Sequence, residues 1–183
     1  RVLALPEFIK PRQVFHFART QVNSAGPFHW HTHEYDEIFV IESGSGTHHI
    51  NRSRWTLAPG DLVFMRDRDR HTFSGQALGI ANLSFPRSLR KEMAARLFAG
   101  REHFYGSGPN PRCLRLKLGE ARQWVARMET LGLERNPRFA LELFLLQLVG
   151  ASHPEWKKEK RPAAPPWLAQ ACAALENPEY FRL

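Results

Sequence analysis

The sequence predicts a mainly β fold, a jelly-roll barrel followed by α-helices, and three observations predict it. The first half of the chain consists of short runs rich in β-branched and aromatic residues, which Gly, Pro, Asn and Ser interrupt at close intervals. About eight such runs are present, and this number suits the double sheet of a jelly roll. After Pro86 the apolar residues take up a helical spacing, so the barrel is expected to end there.

The strands of the barrel are expected to be joined by tight turns. Gly44-Ser45-Gly46 and Asn51-Arg52-Ser53 are rich in turn-forming residues and are predicted as hairpin turns. Ala58-Pro59-Gly60-Asp61 places Pro and Gly where a turn favours them. The predicted strands are residues 14–22, 28–33, 37–42, 47–51, 54–57, 61–65, 71–74 and 78–85.

Two amphipathic helices are predicted after the barrel. Leu89, Met93 and Leu97 recur every four residues, which indicates a helix that ends near Gly100. A second helix follows the i, i+3, i+4, i+7 pattern and has Gly132 as its C-terminal stop. Its apolar face consists of Ala121, Trp124, Val125, Met128 and Leu131.

A third helix is predicted to begin with Asn136 as N-cap and Pro137 at the first helical position. From Phe139 to Val149 it is apolar on nearly all sides. Such a helix needs cover on more than one face, either from its own barrel or from a second subunit. Together with the preceding helix it therefore predicts a homodimer.

The segment 152–166 is charged and rich in proline, in the manner of a linker between domains. Pro166 then opens a further amphipathic helix that includes Trp167 and Leu168. A single helix after a linker cannot bury its own apolar face. Residues 167–183 are therefore expected to be the beginning of a further domain.

The net charge of +8 raises the possibility of nucleic-acid binding, but the basic residues are scattered. In the loop 66–70, arginines alternate with aspartates, which predicts local neutralisation. No apolar run approaches the length that crosses a bilayer. Cys113 and Cys172 lie far apart and the first residues lack a signal-peptide pattern, so a cytoplasmic protein is expected.

The run from His29 to Glu37 carries the candidate site. Side chains alternate between the faces of a strand, so His31, His33 and Glu37 share a parity and can point into one cavity. His71 comes from a later strand. Three imidazoles and a carboxylate suit a divalent transition metal such as Zn, Ni, Fe or Mn, with positions left open for a ligand. The alternative is that these residues form hydrogen bonds or bind an organic ligand without a metal.

Aromatic residues of the predicted barrel are candidates for ligand binding, because sugar faces pack on aromatic rings. The alternative for each of them is a place in the hydrophobic core. His16, His48, His49, His103 and His153 have no partnered spacing and are expected to be surface or structural residues, while His29 shares the strand and parity of His31 but lies outside the motif. The candidate ligand-binding residues are Trp30, Phe39, Trp55, Phe64 and Phe73.

The motifs of this region resemble those of the cupins. His31, His33, Glu37 and Gly44 fit the first cupin motif, and Pro59-Gly60-Asp61 followed by His71 resembles the second. The second motif often has Asn four residues after its histidine, where this chain has Gly75. The resemblance implies a double-stranded β-helix barrel in which His31, His33, Glu37 and His71 are counterparts of the metal ligands of metal-binding cupins.

The order of the parts resembles that of AraC-type transcription regulators. In that family a barrel senses a small molecule, the next helices pair two subunits, and a C-terminal domain of two helix-turn-helix units binds DNA. The segments 31–37, 59–61 and 70–73 are similar to the sensor of chitobiose-operon regulators. The resemblance implies a sugar-like effector, and DNA as a partner through a C-terminal domain whose first helix lies in residues 167–183.

The predicted division of the chain has four parts: a ligand-sensing barrel at 1–85, a helical dimerisation segment at 86–151, a linker at 152–166, and the first helix of a C-terminal helix-turn-helix DNA-binding domain at 167–183. The competing hypothesis is a metal-dependent cupin enzyme, a dioxygenase or an isomerase, since an open site of this kind has the Lewis acidity that such chemistry needs. The linker and the unpartnered helix favour a regulator without enzymatic activity.

Overall fold

The computed structural model describes residues 1–98 and 109–152. Seven strands and four helices lie in these residues, with a 3₁₀ turn at Leu131–Leu133. In chain order they are β1 (Val2–Leu3), α1 (Leu5–Phe8), β2 (His16–His33), β3 (Tyr35–Ile50), β4 (Ser53–Leu57), β5 (Asp61–Met65), β6 (His71–Pro86), α2 (Arg87–Leu97), β7 (Arg112–Arg115), α3 (Leu118–Thr130) and α4 (Pro137–Ser152).

The strands follow the order β1-β2-β6-β3-β5-β7, and β4 pairs with β3. All pairings are antiparallel except that of β1 with β2. The long strand β3 pairs with β6 along almost its whole length, while its first part also pairs with β5 and its last part with β4. The predicted fold class, a mainly β jelly-roll barrel of the cupin type followed by helices, is confirmed.

Long strands replace several of the predicted short ones. Each of β2, β3 and β6 joins two predicted strands into one. The predicted hairpin turn at Gly44-Ser45-Gly46 is wrong, because both halves of β3 pair with the same strand and these residues form an irregularity in the ladder. The predicted turns at 51–53 and 58–61 are confirmed, the latter by a hydrogen bond of 3.0 Å from the amide of Asp61 to the carbonyl oxygen of Ala58.

Three short elements were not predicted from the sequence: β1, α1 and β7. Elements of two to four residues are too short to show a hydrophobic period. The two strands are held by pairing, β1 along the end of β2 and β7 along β5. The first of these pairings brings the N-terminal segment beside the candidate site.

The hydrophobic core lies on both faces of β3 and β5. One face of these strands belongs to a cluster that includes Phe39, Ile41, Val63 and Met65. The residues of opposite parity are also fully buried, because α2 and α3 pack against β3 on the other side. This second set comprises Ile38, Val40, Leu62 and Phe64.

The helices match the predicted ones closely. The Asn136 side chain accepts a hydrogen bond of 3.1 Å from the amide of Phe139, which confirms its predicted capping role. Among the described residues, no helix is long and apolar enough to cross a membrane. Of the predicted linker, the structure describes only Ser152, at the end of α4. The rest of the linker and the predicted first helix of the DNA-binding domain lie outside the described residues.

Candidate metal and ligand site

The fold brings the four predicted metal-binding residues together inside the barrel. His31 and His33 lie near the end of β2, Glu37 near the start of β3, and His71 is the first residue of β6. The pairing of β2 with β6 places His31 opposite His71. One ring nitrogen from each of the three histidines lies within 4.8 Å of the other two.

The distances within this cluster suit a bound cation. The Nε2 atoms of His33 and His71 are 3.1 Å apart, and Oε2 of Glu37 lies 3.5 Å from the first and 3.8 Å from the second. A metal bound at about 2.1 Å has neighbouring ligand atoms roughly 3.0 Å apart in an octahedral arrangement and roughly 3.4 Å apart in a tetrahedral one. The pairs at 3.1 and 3.5 Å match this spacing and the pair at 3.8 Å is longer, so among the described residues the three histidines form the compact part of the cluster.

The tautomer of His31 follows from its hydrogen bond. Its Nδ1 lies 2.8 Å from the carbonyl oxygen of His29, and a carbonyl oxygen can only accept. Nδ1 therefore carries the proton, and Nε2 has a free lone pair. The backbone of His29 adopts a positive φ of 55°, which is unusual for a residue other than glycine. A metal-binding histidine commonly donates its second ring N–H in this way.

Burial keeps the ring nitrogens neutral. It lowers the pKa of His33 to about 3 and that of His71 well below its ordinary value. His31, which is only partly buried, has its pKa lowered in the same direction and mainly for the same reason. Neutral imidazoles are the form that binds metals.

Glu37 is the buried carboxyl of the site. Burial raises its pKa to about 8, and its Oε2 atom has no hydrogen-bond partner among the described residues. An unpaired buried oxygen is costly unless something positive lies against it. Three neutral nitrogens and one carboxylate oxygen form a donor set that fits a divalent transition metal.

A network of hydrogen bonds holds the loop that precedes His71. Arg66 donates to Asp69 at 2.8 Å, and both side chains are buried. Asn51, in the turn between β3 and β4, donates to Asp69 at 3.0 Å and accepts from the amide of Arg70 at 3.1 Å. The alternating charges of this loop thus fix the start of β6, where His71 lies.

A cavity of about 210 Å³ opens against the cluster. This is smaller than the roughly 300 Å³ at which sites for drug-sized molecules begin, so the cavity favours a small ligand. Two residues of the N-terminal segment, Leu3 and Phe8, form part of its wall. The rest of the wall is polar at His16, Thr20, Tyr35, Asn82 and Ser84 and apolar at Ala18, Val22, Phe73 and Ile80, beside the four cluster residues.

Of the five predicted ligand-binding aromatic residues, Phe73 lines this cavity and the others lie elsewhere. The guanidinium of Arg70 lies over the Trp30 ring, with its Cζ atom 5.0 Å from the ring centroid. Phe39 is a fully buried core residue, and Trp55 packs against the same core cluster. Phe64 is fully buried among residues of the opposite parity, away from the barrel interior.

Sequence spacing missed two histidines near the site. His16 lines the cavity, and His48, expected to be a surface or structural residue, is fully buried with its Nε2 at 2.9 Å from Nδ1 of His71. The sequence-based prediction relied on the spacing of the first cupin motif, and neither His16 nor His48 belongs to that motif.

Gly75 departs from the cupin pattern for a structural reason. It pairs with Gly46 between β6 and β3, and a Cβ atom on it would lie 2.6 Å from the carbonyl oxygen of Ser45. Any larger residue, asparagine included, would collide with this backbone. The close approach of β3 and β6 therefore leaves no room at this position for the polar side chain that cupins often have there.

The fold is that of a cupin-type barrel, and the histidine cluster lies against a small internal cavity. The model of one family, the AraC-like ligand binding domain, matches residues 13–180. The chain belongs to this family, and it is a ligand-sensing domain of the AraC type of transcription regulator. The matched range also includes the predicted linker and most of the predicted tail helix.

Curated relatives share part of the sequence. The chain is 39% identical over 75 residues to the HTH-type transcriptional activator RhaS of Yersinia pestis and of Yersinia pseudotuberculosis. The aligned part is 40% of this chain and 26% of the relative. The chain thus spans about a quarter of the length of these relatives.

Solved structures of ToxT from Vibrio cholerae share the fold. A variant of ToxT without ligand has a TM-score of 0.61 at 10% identity, over 82% of this chain and 59% of that one. Wild-type ToxT bound to an unsaturated fatty acid has a TM-score of 0.53 at 11% identity, over 77% of this chain and 54% of that one. At these identities the likeness is one of fold only.

Proposed function

We propose that this domain senses a small polar, sugar-like effector with the help of a divalent transition metal held by His31, His33, Glu37 and His71. The observation that carries the proposal is the unpaired Oε2 of Glu37, buried 3.5 Å and 3.8 Å from two neutral imidazole nitrogens at the wall of a cavity. A bound metal would act there as a Lewis acid that attracts an oxygen atom of the effector.

The cavity wall supports a ligand with several hydroxyl groups. Ser84 lies between His16 and Glu37 in one row across β2, β6 and β3. Its hydroxyl donates to Oδ1 of Asn82 at 3.0 Å, so hydroxyl, amide and imidazole groups follow one another along this wall. Such groups can both donate and accept, as the hydroxyls of a sugar require.

The domain is proposed to act as a homodimer and to control a DNA-binding domain. The support is membership of a family of regulator sensors and likeness to transcriptional activators. Base recognition needs a helix or ribbon that enters a groove, and the proposal assigns this task to a C-terminal domain. The same membership favours a regulator over a metal-dependent cupin enzyme.

The metal part of the proposal is tested by elemental analysis of protein purified without chelator. We expect about one equivalent of a transition metal, with a loss of at least tenfold in His33→Ala and in His71→Ala. The matched control is His49→Ala, because His49 is a partly buried histidine of β3 that bonds to Ser74 rather than to the cluster. Protein that holds no metal even after incubation with Zn²⁺, Ni²⁺, Fe²⁺ or Mn²⁺ would leave only a metal-free polar pocket.

The ligand part is tested by calorimetric titration of the metal-loaded protein with mono- and disaccharides and, in parallel, with an unsaturated fatty acid. Binding of a sugar that disappears in Asn82→Leu is the expected result, because leucine keeps the volume and removes the polar group. Saturable binding of the fatty acid alone would contradict the polar ligand while leaving the metal site intact.

A further inference from the structure

His48 is a buried histidine for which the proposed site has as yet no task. It is fully buried on β3, and its Nε2 lies 2.9 Å from Nδ1 of His71. Its ring stacks on Phe73, with 4.8 Å between centroids and 15° between planes, and meets the rings of Phe39 and Trp55 edge to face. Its Nδ1 has no hydrogen-bond partner among the described residues, which is costly in so apolar a place, and its Nε2 is paired with His71.

The bond between His48 and His71 can run in either direction, but only one direction leaves His71 free to bind a metal. A neutral imidazole has one N–H, so if His48 donates to Nδ1 of His71, the proton of His71 must lie on Nε2. That proton would point at Nε2 of His33, 3.1 Å away, and would occupy the lone pair that the site needs. If His48 accepts instead, Nε2 of His71 is bare.

We propose that His48 is a positioning residue for the metal site. It accepts the Nδ1–H of His71 and thereby directs the Nε2 lone pair of His71 towards His33 and Glu37. This inference rests on the proposed metal site. His48 thus does for His71 what the carbonyl oxygen of His29 does for His31, and the difference is that a side chain can lose the role by a single substitution.

The first test is the position of the proton, read from long-range ¹H–¹⁵N correlations of the histidine rings in Zn²⁺-loaded wild-type protein. We expect a proton on Nδ1 of His71 and none on Nε2 of His48. A proton on Nε2 of His48 in the loaded protein would overturn the inference. This measurement needs no substitution, so it holds even if a variant of this buried position fails to fold.

The second test compares zinc affinity in three variants. His48→Leu removes the acceptor and is expected to weaken Zn²⁺ binding by about 10- to 100-fold. His48→Gln offers an amide oxygen in its place and is expected to recover most of the loss. Ile41→Val is the control for a small defect in the same core cluster, and it should leave the affinity unchanged.

The outcomes separate the two proposals. Wild-type protein that binds no Zn²⁺ would end the proposed metal site and this inference with it. Wild-type protein that binds Zn²⁺, with an equal affinity in a folded His48→Leu variant, would overturn the role of His48 alone. An equal loss in His48→Leu and Ile41→Val would also overturn it, since core packing would then be the cause.

Discussion

Neighbouring carboxylates at the start of β3 have opposite tasks because they point to opposite faces of the strand. Asp36 is buried against Arg90 of α2, with Oδ2 2.7 Å from Nε, and serves to attach the helix to the sheet. Glu37 points into the barrel, where the described residues that line the cavity include no arginine or lysine. Burial raises the pKa of both groups, to about 6 for Asp36 and about 8 for Glu37. The pKa of Asp36 is raised less because Asp36 faces Arg90, whereas Glu37 faces no positive side chain among the cavity residues.

The first prediction is that metal-free protein loses stability between pH 6.5 and 8 because of Glu37. The folded-state pKa of about 8 lies above the ordinary value of 4.5, so the protonated carboxyl favours the folded state and this contribution disappears as the pH rises towards 8. The free energy of unfolding should fall by at most about 1.4 kcal/mol per pH unit. Urea denaturation in the presence of a chelator measures it.

Glu37→Gln is the control for this prediction, because it keeps the shape and removes the titration. Its stability should change little over the same interval. The buried histidines have lowered pKa values and contribute a slope of opposite sign below pH 6.5, which is why the comparison begins there. Equal pH profiles for the wild type and Glu37→Gln would show that burial does not act on this carboxyl as proposed.

At the scale of the element, the pairing of β3 with β6 contains an irregularity near the middle of β3. The register with β6 shifts between Ile41 and Ser43 and again between Ser43 and Ser45. Gly44, at this point, has a φ of 72°, and a Cβ atom on it would lie 2.1 Å from the carbonyl oxygen of Ala77. The glycine of the first cupin motif is therefore required by the backbone rather than by the ligand.

The second prediction is that Gly44→Ala destabilises the barrel by roughly 2 to 4 kcal/mol, from left-handed backbone strain and from overlap with β6. Gly26→Ala is the matched control, because a Cβ atom on Gly26 in β2 would meet no described atom within 4 Å. This control should change stability by less than about 1 kcal/mol. Chemical denaturation of the two variants measures the difference. Equal effects would refute the steric role of this position.

At the scale of the whole molecule, α4 has more apolar surface than its own domain covers. Phe144, Leu145 and Leu148 are buried, but Phe139 and Leu143 are 63% and 42% exposed. Leu133, in the 3₁₀ turn before α4, is also 84% exposed. Large apolar side chains in one region favour contact with another protein surface, and a second copy is the partner that the sequence predicts.

The third prediction is that the domain is a dimer and that Leu143→Glu converts it to a monomer, because a charge would be buried without a partner in the interface. Light scattering coupled to size exclusion at micromolar concentration measures the mass. Leu97→Glu is the matched control, since Leu97 is 46% exposed at the end of α2, outside the two helices concerned, and should leave the dimer intact. A monomeric parent protein would reject the prediction.

The barrel, the order of barrel and helices, and the four residues of the candidate site were all predictable from the sequence. Alternation along a strand is a local property, so His31 and His33 could be assigned to one face of β2 from their spacing. Glu37 lies on the next strand, β3, and motif spacing rather than alternation places it with them. Capping is local as well, and Asn136 was placed correctly for that reason. Motif spacing also supplied His71, whose distance along the chain no periodicity could bridge.

The sequence did not predict which strands are continuous, which aromatic residues line the cavity or which residue contacts His71 from behind; these depend on contacts between distant strands. Gly44-Ser45-Gly46 has the composition of a turn, and pairing with a single partner strand made it part of β3 instead. His48 has no sequence signal, because its contact with His71 joins residues 23 positions apart. Such contacts depend on the register between strands that are distant in the sequence, since a slip of one residue would turn every side chain to the other face.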